Sequence, residues 1–172
     1  MKRVVVIGNS GGGKSVLARQ LAAKFALPYI EIDSVLWLPG WQLVPDATYQ
    51  AEHSQLIAQD RWLIDGLGTR ESIPSRLARA TEVVLVDMPL WIHFWLAADR
   101  QVRWVAGQLQ HPPAAISDAP PTRAIFKTMW DVDREWMPQI RSLVACEEKR
   151  GKRIFKVNSV AELDDFLSRD DL

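Results

Sequence analysis

Cysteine is almost absent from this chain: among 172 residues only Cys146 carries a thiol. A lone cysteine excludes an internal disulfide and any cysteine-based zinc site. It is compatible with the reducing cytoplasm, where the protein is expected to reside. Excess charge is lacking too. Lysine and arginine number 21, aspartate and glutamate 21, and the formal net charge is +0. Without a net positive charge or a Lys/Arg run there is no basis for strong nonspecific nucleic-acid binding, so nucleic acid is not an expected partner. Long apolar runs are missing as well. The most apolar stretch, residues 83–98, is interrupted by Asp87, Pro89 and His93, too broken to span a bilayer, and no membrane association is expected. The chain enters an apolar run within its first residues, so no signal peptide is expected. There is no internal repeat and no low-complexity tract. What remains is the composition of an ordinary globular protein, long enough for one domain over residues 1–172 with a full core.

Glycine, by contrast, is concentrated near the start. Residues 3–20 read RVVVIGNSGGGKSVLARQ. Val4-Val5-Val6-Ile7 is a short apolar run of buried-strand type, and Leu17, Leu21 and Phe25 recur at helical spacing behind it. Between them lie Gly8, Asn9, Ser10, Gly11, Gly12, Gly13, Lys14 and Ser15, which match G-x-x-x-x-G-K-[ST] without substitution. Glycines let backbone N–H groups turn inward toward phosphate oxygens, and the positive end of the following helix adds to the field. Lys14 would supply a mobile charge for the β- and γ-phosphates of ATP. The Ser15 hydroxyl is placed for Mg²⁺.

Tyr29-Ile30-Glu31-Ile32-Asp33 reads as a second strand, with Tyr29, Glu31 and Asp33 on one face by period-2 alternation. Acids at the carboxyl end of such a strand sit where α/β sheets bind ligands, unless they are only a solvated strand end. Residues 34–45 hold Trp37, Pro39-Gly40 and Trp41. The two tryptophans either wall a pocket or pin a turn. A helix is expected over 46–60, with Asp46 as its N-cap. A third strand follows over 61–65, leaving at Asp65-Gly66, an acid after an apolar run of the kind that holds Mg²⁺ behind a P-loop. Arg70 follows in the outgoing loop.

A short helix over 71–80 and a strand over 81–87 come next. A long helix then runs from Leu90 to Gly107, with Trp91, Trp95, Ala98 and Val102 along one face and Arg100 and Arg103 sharing another. Two Pro-Pro pairs in residues 107–122 indicate a loop or flap. Helix returns over 123–150, kinked at Pro138, and carries Arg134. A fifth strand over 153–157 leads to a last helix with Ser159 and Glu162 in capping-box spacing. Alternation of this kind builds a three-layer α/β/α fold around a five-stranded, mainly parallel sheet.

On GNSGGGKS, LARQLA, LPYIEIDSVLWLPGW, WLIDG and VDMPLW, the chain resembles small P-loop kinases of the adenylate-kinase and shikimate-kinase group. Within them it is most similar to the DNA topology modulation (FlaR-related) proteins. The resemblance implies a P-loop NTPase core with a lid over about 100–135 and transfer of the ATP γ-phosphate to a small acceptor, with nucleotides and nucleosides among the candidates. It implies ATP·Mg²⁺ as cofactor, with Ser15, Asp65 and Glu31 near the metal. Lys14, Asp33, Arg100 and Arg103 would be catalytic, Arg100 also touching ATP. Asp33, Trp37, Trp41, Arg70 and Arg134 would surround the acceptor. A monomer or homodimer is expected. The alternative is an ATP-binding regulator acting on DNA topology or transcription through a partner. A guanine-specific N-K-x-D motif is lacking, which argues against a GTPase switch.

Overall fold

The computed structural model describes residues 1–109, 121–169 and 172. Its centre is β1 (Arg3–Gly8), which pairs in parallel with β5 (Trp62–Asp65) on one side and β6 (Glu82–Val86) on the other. β2 (Tyr29–Glu31) lies outside β5, and β7 (Arg153–Val157) outside β6, so the sheet runs β2-β5-β1-β6-β7 with every pair parallel. The register Val6↔Asp65 and Glu31↔Asp65 brings the exits of β1, β5 and β2 together at one edge. Parallel strands of this kind are covered on both faces and read as unbroken apolar runs. β1 shows why. Val4 and Val6 point to one side, where Leu17, Ala18 and Leu21 of α1 (Lys14–Phe25) cover them. Val5 and Ile7 point to the other, against Ile73 and Leu77 of α4 (Ile73–Arg79), Ile140 and Val144 of α7 (Met137–Lys149), and Tyr49 of α3 (Asp46–Ala58). The expected three-layer α/β/α arrangement with five parallel strands is thus present.

Several local expectations need correction. The second strand stops at Glu31, and Ile32–Leu36 is a short helix, α2, so Asp33 stands in a helical turn and not on the strand face shared with Glu31. The physical reason is Ile32 and Leu36: both are buried and lie four residues apart, so the helical period prevails over alternation. The Trp37–Trp41 turn is a small antiparallel hairpin of β3 (Trp37–Leu38) and β4 (Gln42–Leu43). Pro45, not Asp46, is the N-cap of α3; Asp46 is the first helical residue and its side chain makes no capping bond.

In α5 (Leu90–Val105) the face carrying Trp91, Trp95 and Val102 is turned to solvent, and Ile92, His93, Ala97, Gln101 and Trp104 are buried instead. The proline-rich segment expected as a flap lies largely outside the described residues. Beyond it, α6 (Thr122–Asp131) continues into a π-helical turn, Val132–Trp136, before α7. Pro138, at the second position of α7, has no N–H and crowds the carbonyl one turn earlier, which the wider turn relieves. Ser159 caps α8 (Val160–Asp164) as expected, accepting from the Glu162 N–H at 3.1 Å. The Glu162 carboxylate closes onto the Asn158 N–H instead of the cap residue's own. Among the described residues no helix is long and apolar enough to cross a membrane.

At the end of β1 the chain runs against its neighbour. Gly8 has φ +155°, and a Cβ there would stand 2.1 Å from the Val86 carbonyl oxygen, a backbone atom that cannot step aside. Gly8→Ala is therefore expected to destabilise the fold by about 2 kcal/mol or more, read as a lower midpoint in urea unfolding.

Candidate active site

The loop after β1 folds against helices α5 and α6. Gly11 has φ +78° and lies under the His93 carbonyl and the Ala97 methyl, where a Cβ would meet them at 2.7 and 3.0 Å. The buried Asn9 works in two directions. Its Oδ1 accepts from the Ser10 N–H at 2.8 Å, and its Nδ2 donates to the Met129 carbonyl of α6 at 2.8 Å. His93 Nδ1 lies 2.9 Å from the Ser10 carbonyl. A carbonyl only accepts, so this nitrogen carries the proton. Burial, followed by nearby Lys14, holds the imidazole below its ordinary pKa and so in the neutral form.

Lys14 is buried, and its Nζ donates to the Asn9 carbonyl at 2.7 Å. Burial lowers its pKa, Asp65 and Asp33 oppose the shift, and Arg100 adds to it. The first turn of α1 carries no acid, so nothing there competes with a phosphate for the helix's positive end.

Three acids converge opposite the lysine. Asp65, at the end of β5, is 1% exposed. The Tyr29 hydroxyl donates to its Oδ2 at 3.3 Å, and its Oδ1 is buried with no partner among the described residues. Burial first, then the charges of Asp65 and Glu31, push the Tyr29 phenol's pKa upward, and the hydrogen bond to Asp65 adds to it. Glu31 lies 3.8 Å from Arg19, and burial, then Asp65, hold its pKa above the usual value. Asp33 is raised by burial. Lys14, the Gly68 N–H and Arg76 pull it back, and Asp65 pushes it further up.

Among the described residues no three His, Cys, Asp or Glu side chains stand close enough to hold a metal by themselves. Mg²⁺ travelling with nucleotide phosphates needs only one or two protein oxygens, directly or through water. The Ser15 hydroxyl, Glu31 and the unsatisfied Asp65 Oδ1 are oxygen donors of that kind, so the residues present fit such an ion.

A cavity of about 650 Å³ opens between the loop and the hairpin. Ser10 and Asp33 line it together with Trp37, Leu67, Val132 and Trp136; Arg70 also lines it. Arg70 Nε donates to Gln139 Oε1 at 2.8 Å and its Nη2 to the Glu135 carbonyl at 3.1 Å, tying the loop after β5 to the π turn and α7. Trp41 is not a wall residue. Its ring meets Trp37 edge-on, with centroids 5.7 Å apart, and braces it.

The expected arginines separate. Arg100 is half-buried, with Asp33 and Glu31 as its acidic neighbours, and its Nε has no partner among the described residues. Arg103 instead pairs with Asp99 at 2.9 Å on the exposed side of α5, so the two do not share a face toward the site. Arg134 is exposed, 5.9 Å from the centroid of Trp130, and does not line the cavity.

One important side chain was not foreseen. Arg76 is 0% exposed. Its Nη2 donates to the Gly66 and Leu67 carbonyls at 3.1 and 2.7 Å, and its Nε and Nη1 have no partner among the described residues. It clamps the loop whose Gly68 N–H bonds to Asp33. Tyr49 completes the clamp, its hydroxyl 3.0 Å from Ser72 Oγ and accepting from the Thr69 N–H at 3.3 Å. The stacked His53 is held down to about pKa 4 by burial and then by Arg76. The sequence signal was spacing: Ile73, Arg76 and Leu77 fall at i, i+3 and i+4, which puts the arginine on the buried face of α4.

No protein-family model and no curated protein sequence matches this chain. Its backbone is similar to that of shikimate kinase from Acinetobacter baumannii in complex with shikimate, with TM-score 0.61 and 13% identity over 98% of this chain and 90% of that one. A gluconokinase from Sinorhizobium meliloti 1021 aligns with TM-score 0.44 and 17% identity over 86% of this chain and 94% of that one. At such identity the first likeness shows the fold: this is a P-loop NTPase α/β fold.

Two outcomes follow from these electrostatics. The raised Asp33 pKa means that the native state keeps a proton the unfolded chain has released. Stability therefore falls as pH rises from the ordinary carboxylate value through the native one, and the penalty is complete above it. Asp33→Asn removes that penalty and is expected to raise the urea midpoint at neutral pH, with the gain disappearing near pH ~3. Arg76→Met, which removes the charge but keeps an apolar stem, is expected to raise the His53 pKa above its value of about 4 while burial keeps it under the free-imidazole value, read by NMR titration.

Proposed function

We propose that this chain is an ATP·Mg²⁺-dependent phosphotransferase acting on the hydroxyl of a small molecule held in the cavity between the loop and the hairpin. The observation that carries the reading is that one cavity is bounded by both Ser10 of the phosphate loop and the Asp33 carboxylate. A donor phosphate and an acceptor hydroxyl placed there would face each other.

The loop backbone and the N-terminus of α1 hold the phosphates. Lys14 moves from the Asn9 carbonyl to the phosphate oxygens, which offer it a stronger, charge-assisted bond. Ser15, Glu31 and Asp65 would hold Mg²⁺, which would supply positive charge beside the phosphates when bound. Asp33 accepts the proton of the acceptor hydroxyl while the acceptor oxygen forms its bond to the γ-phosphorus and ADP departs. Its raised pKa suits that task better than an ordinary aspartate would. Arg100 faces the same acids and meets the transferring group. Phosphoryl transfer needs little else, because its loose, charge-rich transition state is stabilised mainly by position and field. Arg76 is a positioning residue: it holds the loop that holds Asp33. Arg103 and Arg134, paired outside the cavity, have no part in this scheme.

Lys14→Ala is expected to lower acceptor-dependent ADP release by at least about 10²-fold in a coupled assay with ATP and an alcohol panel. Undiminished turnover in that variant would sink the proposal.

A further inference from the structure

The charges around the cavity deepen that reading and rest on it. Among the described residues three acids line the cavity, Asp33, Asp46 and Glu71, against one cation, Arg70. Asp33 is half-buried, whereas Asp46 and Glu71 are exposed residues. Among the described residues neither of these two is paired with a cation; Asp46 only accepts from Gln50 at 3.5 Å. Arg70, the one cationic side chain among the described residues that line the cavity, already directs Nε and Nη2 at Gln139 and the Glu135 carbonyl. Lys14, Arg76 and Arg100 neighbour Asp33 but do not line the cavity. Most of the remaining wall is apolar, including Leu36, Trp37, Val132 and Trp136. A carboxylate or phosphate on the acceptor would have to shed its water among like charges, with a single half-committed partner. An uncharged or cationic group would not.

We infer that the acceptor is an uncharged or cationic alcohol with a flat apolar body, and not a carboxylate or phosphate anion. Its hydroxyl lies at the Asp33 end, its body against Trp37 and Trp136, and any ammonium group toward Asp46 and Glu71. Transfer forms the bond from the alcohol oxygen to the γ-phosphorus, breaks the bond from that phosphorus to the β,γ-bridging oxygen, and leaves the alcohol's proton on Asp33.

The test uses the full chain saturated with a non-hydrolysable ATP analogue and Mg²⁺, titrated calorimetrically with four alcohols on one ring. These are 4-(aminomethyl)benzyl alcohol, 4-methylbenzyl alcohol, 4-(hydroxymethyl)benzoate and 4-(hydroxymethyl)benzyl phosphate. The first two are expected to bind at least about tenfold tighter than the last two. The surface double variant Asp46→Asn, Glu71→Gln is expected to narrow that gap to about twofold. Equal or tighter binding of the anions, no binding of either uncharged or cationic probe at millimolar concentration, or an unchanged gap in the double variant overturns the inference. ADP release with ATP in place of the analogue is scored separately. Charge selection without ADP from any probe supports the acceptor inference and counts against the phosphotransferase reading. ADP from the anions alone supports that reading and overturns this one.

Discussion

A lysine without water is the constraint around which the rest is arranged. Lys14 is buried at the point where β1 hands over to α1, and burial holds its pKa below the ordinary lysine value. Asp65 and Asp33 oppose that shift. Those acids are themselves crowded, and each needs its own support. Asp65 takes the Tyr29 hydroxyl, and Asp33 takes the Gly68 N–H with Arg76 behind it. A buried charge is tolerable only when paired or hydrogen-bonded. Here the pairing extends through three strand exits and a buried arginine, and still leaves Asp65 Oδ1 and Arg100 Nε unsatisfied among the described residues. Those unspent groups stand at the edge where a parallel sheet binds its ligands.

Much of this was legible in the sequence. The loop from Gly8 to Ser15 was, because its pattern encodes backbone geometry and charge at fixed offsets. So were the five strands: β1, β5 and β6 are mostly apolar runs, and β2 and β7 are short segments with charged residues among the apolar ones. Asp33 was legible as a chemical group but not as a position, since Ile32 and Leu36 turn the chain into a helix one residue before it. Arg103 was legible only as a charge: Asp99, four residues earlier, pairs with it on the exposed side of α5, and spacing alone cannot choose between an intrahelical partner and a ligand. Arg76 was missed because charge suggests exposure, although its neighbours Ile73 and Leu77 mark the face it shares.

Tryptophan illustrates the same limit. Trp62 is fully buried, whereas Trp91 and Trp95 stand 67% and 62% exposed on α5. Residue type did not sort them. The sheet and the loop did: α5 must turn His93 and Ala97 onto Gly11 and Gly12, which swings the tryptophan face outward. The exposed face is thus a consequence of how closely the phosphate loop is covered.

That close cover also joins the two halves of the site. The Met129 carbonyl of α6 receives the Asn9 side chain from the phosphate loop. Val132 and Trp136, in the π turn that follows, form part of the cavity wall, and the Glu135 carbonyl accepts from Arg70. A regular α-helix would rotate these residues to other bearings; the wider turn before Pro138 sets them where they are. One continuous segment of eight residues, Met129 to Trp136, therefore touches the phosphate loop at one end and lines the cavity at the other.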